Sequence, residues 1–87
     1  MTISLQDIRV IFEKLLAGEM NRESADKLAR EMIKASEQGS LFFSPPNDQK
    51  RIWAGIMYLN GVDLRVDSET YLHSDEDIRK AMHRKLG

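Results

Sequence analysis

The chain has 87 residues, of which 41% are hydrophobic and 31% are charged, and its net charge is −1 at pH 7. This length allows a single domain, predicted to span residues 1–87, and the composition suits a folded protein and excludes a disordered one. Because cysteine is absent, disulfides and cysteine-ligated zinc sites are excluded. The balanced charge also argues against binding to nucleic acid through bulk positive charge.

The start of the chain predicts where the protein resides. Residues 1–7 lack the basic and then apolar pattern of a signal peptide. No apolar run approaches the roughly 18 residues that a membrane helix needs. We therefore expect a cytoplasmic protein that has no membrane partner.

Two amphipathic helices are predicted in the first half of the chain. The first begins near Ser4, a good N-cap residue, and ends before Gly18, where a left-handed C-cap is common. The second begins at Asn21 and ends at Gly39. Because the connection between them is short, the two helices are predicted to pack as an antiparallel αα-hairpin. Their apolar residues, spaced by three and four, are Leu5, Ile8, Ile11, Phe12, Leu15 and Leu16 in the first and Ala25, Leu28, Ala29, Met32 and Ile33 in the second.

Proline precedes the third predicted helix. Ser44 and Pro45 each stand before a proline, which pushes them towards extended geometry. The helix that follows is expected to start at Pro46 or Asn47, and the Asn60-Gly61 pair is expected to end it. Two aromatic residues before this break are expected to pack against the bundle, namely Phe42 and Phe43.

Residues 62–73 have the least regular pattern. Apolar and charged residues alternate from Val62 to Val66, which is typical of a strand, but one strand alone cannot make a sheet. We therefore predict an extended loop, followed by a last helix that opens at Ser74 with an acidic first turn. The predicted fold class is all-α, an antiparallel four-helix bundle with an extended loop between helices three and four. The residues expected to pack the loop against the bundle are Leu64, Tyr71 and Leu72.

The residue pattern gives little evidence for a catalytic site or a metal site. Neither a Gly-x-Ser-x-Gly elbow nor a Gly-rich phosphate loop is present. His73 and His83 lack the spacing of a helical zinc pair, and His73 is interpreted as a capping or packing residue. A calcium loop starting at Asp63 fails because Arg65 and Ser68 occupy positions that require an acid and a glycine. We therefore predict that the protein is not an enzyme and uses no cofactor or metal.

The helices with the most basic residues show no clear phosphate-binding face. The second predicted helix has four bases and four acids over residues 21–40, and the last has four bases and three acids. A phosphate contact needs a lysine or arginine that no acid neutralises. Nucleic acid is therefore disfavoured as a partner, and a small helical regulatory or DNA-associated protein is kept as the alternative function.

An acidic stretch from Asp63 to Asp77 is the strongest binding feature of the sequence. It contains six acids and one base, so it would attract a basic protein. Tyr71 lies inside it, and an aromatic residue in a charged rim is typical of a binding hot spot. A solvated loop and a dipole-matched helix start would explain the same charges. The predicted partner-binding residues are Asp63, Asp67, Glu69, Tyr71, Asp75, Glu76 and Asp77.

The order of these elements resembles the small helical immunity proteins of bacterial toxin systems. The amphipathic segment from Ile8 runs through Gly18 into a capped second helix, and a Ser-Pro break, an aromatic third helix, an acidic loop and a short last helix follow. The likeness is to the colicin D immunity protein and to immunity proteins of contact-dependent growth inhibition. This resemblance implies that the protein inhibits a cognate toxin, a basic nuclease-like domain such as a tRNase, by occluding its active site with the acidic surface.

Overall fold

The computed structural model describes all 87 residues. Four α-helices carry most of the chain, and two short strands form a parallel sheet. None of the helices combines the length and the apolar character that a membrane span requires. In chain order the elements are β1 (Thr2–Ser4), α1 (Leu5–Leu16), α2 (Arg22–Glu37), β2 (Phe42–Ser44), a 3-10 turn (Pro46–Asp48), α3 (Gln49–Leu59) and α4 (Asp75–Leu86).

Capping side chains set the starts of three helices at the residues predicted from the sequence. The Ser4 hydroxyl accepts the backbone N–H of Asp7 at 3.1 Å, and the Asp7 carboxylate accepts the N–H of Ser4 at 2.8 Å. Ser74 and Asp77 make the same reciprocal pair at the start of α4, at 3.1 and 3.0 Å. Asn21 accepts a first-turn N–H of α2 at 2.7 Å. These contacts satisfy backbone donors that have no partner inside a helix.

The small sheet makes the predicted all-α, antiparallel four-helix bundle wrong. β1 and β2 pair in parallel, with Ile3 opposite Phe43. The sequence did not predict this sheet, because strands of three residues are too short to show an alternating pattern and because the two strands lie far apart in the chain. Ile3 is buried and Phe43 packs against the core, whereas Phe42 is 59% exposed. Only one of the two aromatic residues therefore packs as predicted.

Buried side chains from all four helices meet in a single core. α3 and α4 run antiparallel, since Arg51 in the first turn of α3 lies beside Gly87, at the end of α4. α4 also packs against α1, so it is held by two other helices. The largest side chains that are fully buried are Phe12, Ile8, Ile52, Ile56, Leu59, Ile78, Leu86 and Val62.

Gly55 allows α1, α3 and α4 to approach one another closely. A Cβ atom at this position would lie 2.7 Å from Cγ2 of Ile8 and 3.0 Å from Cδ2 of Leu86. We expect Gly55→Ala to lower the free energy of unfolding by about 1–2 kcal/mol, because overpacking costs about 1–3 kcal/mol and the better helix propensity of alanine offsets only part of it. Urea unfolding measures the change, and a variant as stable as the wild type would contradict this account of the helix contact.

A short hairpin connects α3 to α4, where an extended loop packed on the core was predicted. The backbone N–H of Leu72 donates to the carbonyl of Leu64 at 2.9 Å, and Arg65 and Tyr71 form an antiparallel bridge between them. Leu64 is 57% exposed and Leu72 is 50% exposed, so the prediction that they pack the loop against the bundle is wrong. The alternation of apolar and charged residues from Val62 to Val66 belongs to the first arm of this hairpin. The second arm shows no such alternation, so the sequence did not reveal the pairing of the two arms.

Candidate functional site

Two of the acids predicted to bind a partner form ion pairs within the chain. Asp75 lies 3.1 Å from the Arg22 guanidinium, which comes from the start of α2. Glu76 lies 2.9 Å from Arg79, one turn further along α4. Both pairs weaken the negative field that the sequence suggested. The positive charge of each arginine offsets the negative charge of the acid beside it, so the acid attracts a distant basic protein less strongly.

Two further acids of the predicted set hold backbone groups. Asp67 accepts the backbone N–H of Glu69 and of Thr70, each at 2.8 Å, and these hydrogen bonds lower the pKa of Asp67. Asp77 accepts the backbone N–H of Ser74 in its capping box, and this hydrogen bond is the main cause that lowers the pKa of Asp77. Asp63 and Glu69 form no salt bridge. A partner-binding role for these residues stays a prediction.

Tyr71 is held between two arginines and fixes the hairpin to α2. The guanidinium carbons of Arg22 and Arg65 lie 4.2 and 4.4 Å from the centre of its ring. The Tyr71 hydroxyl donates to Glu23 at 3.1 Å and accepts from Arg65 at 3.0 Å. Arg22 also donates to the backbone carbonyl of His73. These contacts give Tyr71 a role in holding the chain together.

The second half of α4 carries a cluster of positive charges. Between Arg79 and Lys85 the helix has four bases and no acid. Of these bases only Arg79 forms a salt bridge. We call the other three, Lys80, Arg84 and Lys85, the basic ridge. A charge count over the whole helix hides this ridge, because the acids of α4 lie in its first turn and the bases lie beyond them.

Packing of α4 turns two residues of the basic ridge, Lys80 and Arg84, towards solvent, whereas Lys85 is half-buried. Lys80 and Arg84 are exposed and stand four residues apart, so they lie on the same face of the helix. Arg9 of α1 donates to the carbonyl of Leu86 at 3.2 Å, which brings a further cation to the end of α4. The residues of α4 that are buried against the rest of the molecule are Ile78, Ala81 and Leu86.

A cleft of about 270 Å³ opens between the basic ridge and the end of α3. Tyr58, near the end of α3, forms part of its wall. The Tyr58 ring stacks on the buried Phe12 ring, with 5.9 Å between ring centres, and lies 5.0 Å from the ring of His73. The cleft therefore combines an aromatic wall with a cationic rim. Its lining residues are Tyr58, His73, Asp77, Lys80, Ala81, Arg84 and Lys85.

The hydroxyl of Tyr58 is buried and has no hydrogen-bond partner. Burial is the main cause that raises the pKa of Tyr58, and the negative charge of Asp77 raises it further while Arg22 opposes the shift. The hydroxyl therefore keeps its proton near neutral pH and can act as a donor. Nothing in the sequence indicates that Tyr58, on α3, lines a cleft together with the bases of α4.

Comparisons with known proteins identify one family. The model of a family described as YxzC DNA-binding protein matches residues 2–84. A Bacillus subtilis (strain 168) protein described as uncharacterized protein YxzC is 32% identical over 66 residues, which are 76% of this chain and 48% of that protein. The chain thus spans about half the length of the curated relative that it matches. No solved structure matches the chain.

These matches contradict the predicted resemblance to toxin immunity proteins. They also contradict the predicted inhibition of a nuclease-like toxin and the prediction that nucleic acid is disfavoured as a partner. They agree better with the alternative, a small DNA-associated protein. The order of a few short helices recurs in unrelated proteins and does not specify a function. The near-zero net charge hides the basic ridge, because it averages these bases with acids elsewhere in the chain.

Proposed function

Because this chain belongs to the YxzC DNA-binding protein family, we propose that it binds duplex DNA through the basic ridge of α4. The observation that carries this proposal is that Lys80, Arg84 and Lys85 stand together and form no salt bridge. Cations of this kind bind phosphates and release the counterions condensed on DNA. We further propose that the protein acts by binding and not as an enzyme, which the description of its family supports.

The outer face of α2 is the other surface with several bases, and it suits DNA less well. Lys27 and Lys34 are interspersed there with Glu31 and other acids. Arg30, on the same helix, forms a salt bridge with Asp26. Each acid on such a face repels the phosphates that the neighbouring base attracts. The ridge of α4 is therefore the better candidate for the interface.

Contacts from the basic ridge are expected to hold the DNA backbone without reading the bases. Lys80 and Arg84 lie one helical turn apart, about 6 Å along the axis, so both long side chains can reach phosphates of one duplex. Phosphate contacts position a protein on DNA but carry no sequence information by themselves. We therefore expect similar affinities for duplexes of unrelated sequence.

The salt dependence of binding tests this function. For about three phosphate contacts, the slope of log K against log salt concentration is expected to be about −3. Fluorescence anisotropy of a labelled duplex, titrated at several salt concentrations, gives both the affinity and the slope. An absence of binding at low salt would contradict the proposed function.

A further inference from the structure

We propose that the cleft beside Tyr58 is a phosphate-binding subsite, in which the Tyr58 hydroxyl and Lys85 hold one of the phosphates that the basic ridge contacts. The proposal rests on the proposed function for its expectation that the phosphate belongs to DNA. Beyond that function, the phosphate group is assigned to the cleft, and the neutral Tyr58 hydroxyl is assigned as one of its hydrogen-bond donors.

The charges of the cleft favour an anion. Its rim has three cations, Lys80, Arg84 and Lys85, and a single carboxylate, that of Asp77. Asp77 accepts the backbone N–H of Ser74 at 3.0 Å, and its one negative charge offsets only one of the three cations. The rim therefore keeps a net positive charge, and a phosphate bound beside Tyr58 would accept a charge-assisted hydrogen bond from Lys85 within the positive field of Lys80 and Arg84.

The hydroxyl of Tyr58 is buried beside this cleft and has no hydrogen-bond partner in the chain. A buried hydroxyl without a partner is uncommon in folded proteins, because removing it from water without a new hydrogen bond is unfavourable. Tyr58 lines the cleft, so a phosphate oxygen seated there would be an acceptor for its proton. A hydroxyl that serves only the fold would be expected to have its partner within the chain, as the Tyr71 hydroxyl does.

Lys85 lies over the ring of Tyr58. Its Nζ lies 5.8 Å from the centre of the Tyr58 ring, so the ammonium rests over the aromatic face. A phosphate is a stronger partner for an ammonium than an aromatic ring is, and the lysine stem is flexible. We expect binding to draw Lys85 from the ring to the phosphate and to uncover the Tyr58 hydroxyl.

Two sources of phosphate share this chemistry. One is a phosphodiester within the DNA strand, and the other is a monoester at a strand end, for which inorganic phosphate is a simple probe. Duplexes with and without 5′-phosphates tell the two sources apart. A subsite for the monoester would bind the 5′-phosphorylated duplex more tightly, whereas a subsite for the phosphodiester would bind both duplexes equally.

The test uses Tyr58→Phe, with Tyr71→Phe as the matched control. Tyr58→Phe removes only the unpartnered hydroxyl, so we expect DNA affinity to fall by about tenfold while the thermal midpoint stays the same or rises. Tyr71→Phe removes a hydroxyl that is bonded to Glu23 and Arg65, so we expect a lower midpoint and unchanged DNA affinity. The two variants therefore separate a ligand-binding hydroxyl from a structural one.

A second arm needs no DNA. Thermal midpoints are compared in inorganic phosphate and in chloride at matched pH and ionic strength. A ligand that binds the folded state raises the midpoint, so phosphate is expected to raise it for the wild type and for Tyr71→Phe, and less for Tyr58→Phe.

Each outcome decides for or against the subsite. Weaker binding of Tyr58→Phe to both duplexes, or only to the 5′-phosphorylated one, supports it and identifies the phosphate. If the wild type binds DNA and Tyr58→Phe binds equally well, the subsite is overturned while the proposed function stands. If the wild type binds no DNA, the proposed function falls and the phosphate arm decides alone: a rise that depends on Tyr58 supports the subsite, and any other result overturns it.

Discussion

Replacing Lys80, Arg84 and Lys85 together by glutamine is expected to weaken duplex binding on the order of 100-fold at about 0.1 M salt. Each of the three cations is expected to displace counterions from one phosphate, so the slope of log K against log salt should also fall towards zero. These side chains are outside the fully buried core, so the helical circular dichroism of the variant should match that of the wild type.

A triple substitution elsewhere controls for net charge. Lys14, Lys27 and Lys34 are exposed and form no salt bridge, and their replacement by glutamine changes the charge of the chain by the same amount. This control variant is expected to bind DNA within a few-fold of the wild type at about 0.1 M salt, because its lysines lie outside the interface. Equal losses in the two variants would show that overall charge, and not the ridge, governs the affinity.

Asp26→Ala is expected to lower the free energy of unfolding by about 2–3 kcal/mol, the usual effect of leaving a buried polar group without its partner. Asp26 is 3% exposed, accepts the backbone N–H of Gly61 at 2.7 Å and pairs with Arg30. The bond to Gly61 joins α2 to the turn that ends α3. The substitution removes this link and leaves the Gly61 N–H without an acceptor. Chemical denaturation measures the loss, and Glu31→Ala, an exposed position on the same helix, is the control.

The stabilisation from Asp26 is expected to depend on pH. Burial raises the pKa of Asp26, but the hydrogen bonds from Arg30 and from Gly61 outweigh burial and hold the pKa below its ordinary value. A carboxyl whose pKa is lowered in the folded state stabilises the fold above its unfolded pKa of about 4, and this contribution is lost as the pH falls through the folded value. The difference in stability between the wild type and Asp26→Ala should therefore narrow in acid. A difference that stays constant from pH 7 to below about pH 3 would contradict this assignment.

Local chemistry made much of the helical layout predictable. Ser4, Asn21 and Ser74 begin their helices because each side chain accepts a backbone N–H within its own first turn. Such bonds depend only on neighbours in the sequence. The parallel pairing of β1 with β2 was not predictable in this way, since it joins segments that are distant in the chain and only three residues long.

The charged surface was harder to predict for the same reason. Whether an acid is free depends on which base reaches it, and Asp75 is neutralised by Arg22, which lies 53 residues away. The acidic stretch therefore looked like a binding surface in the sequence although two of its acids form ion pairs. The cleft is likewise a tertiary feature, because Tyr58 of α3 meets the bases of α4 only in the folded chain.

Amide chemical-shift mapping during titration with a duplex tests the central claim most directly, because it locates the DNA-binding face residue by residue. We expect the largest changes between Arg79 and Lys85 and beside the cleft at His73 and Tyr58. Changes concentrated on the hairpin from Leu64 to Leu72 or on the outer face of α2, with α4 unaffected, would contradict it.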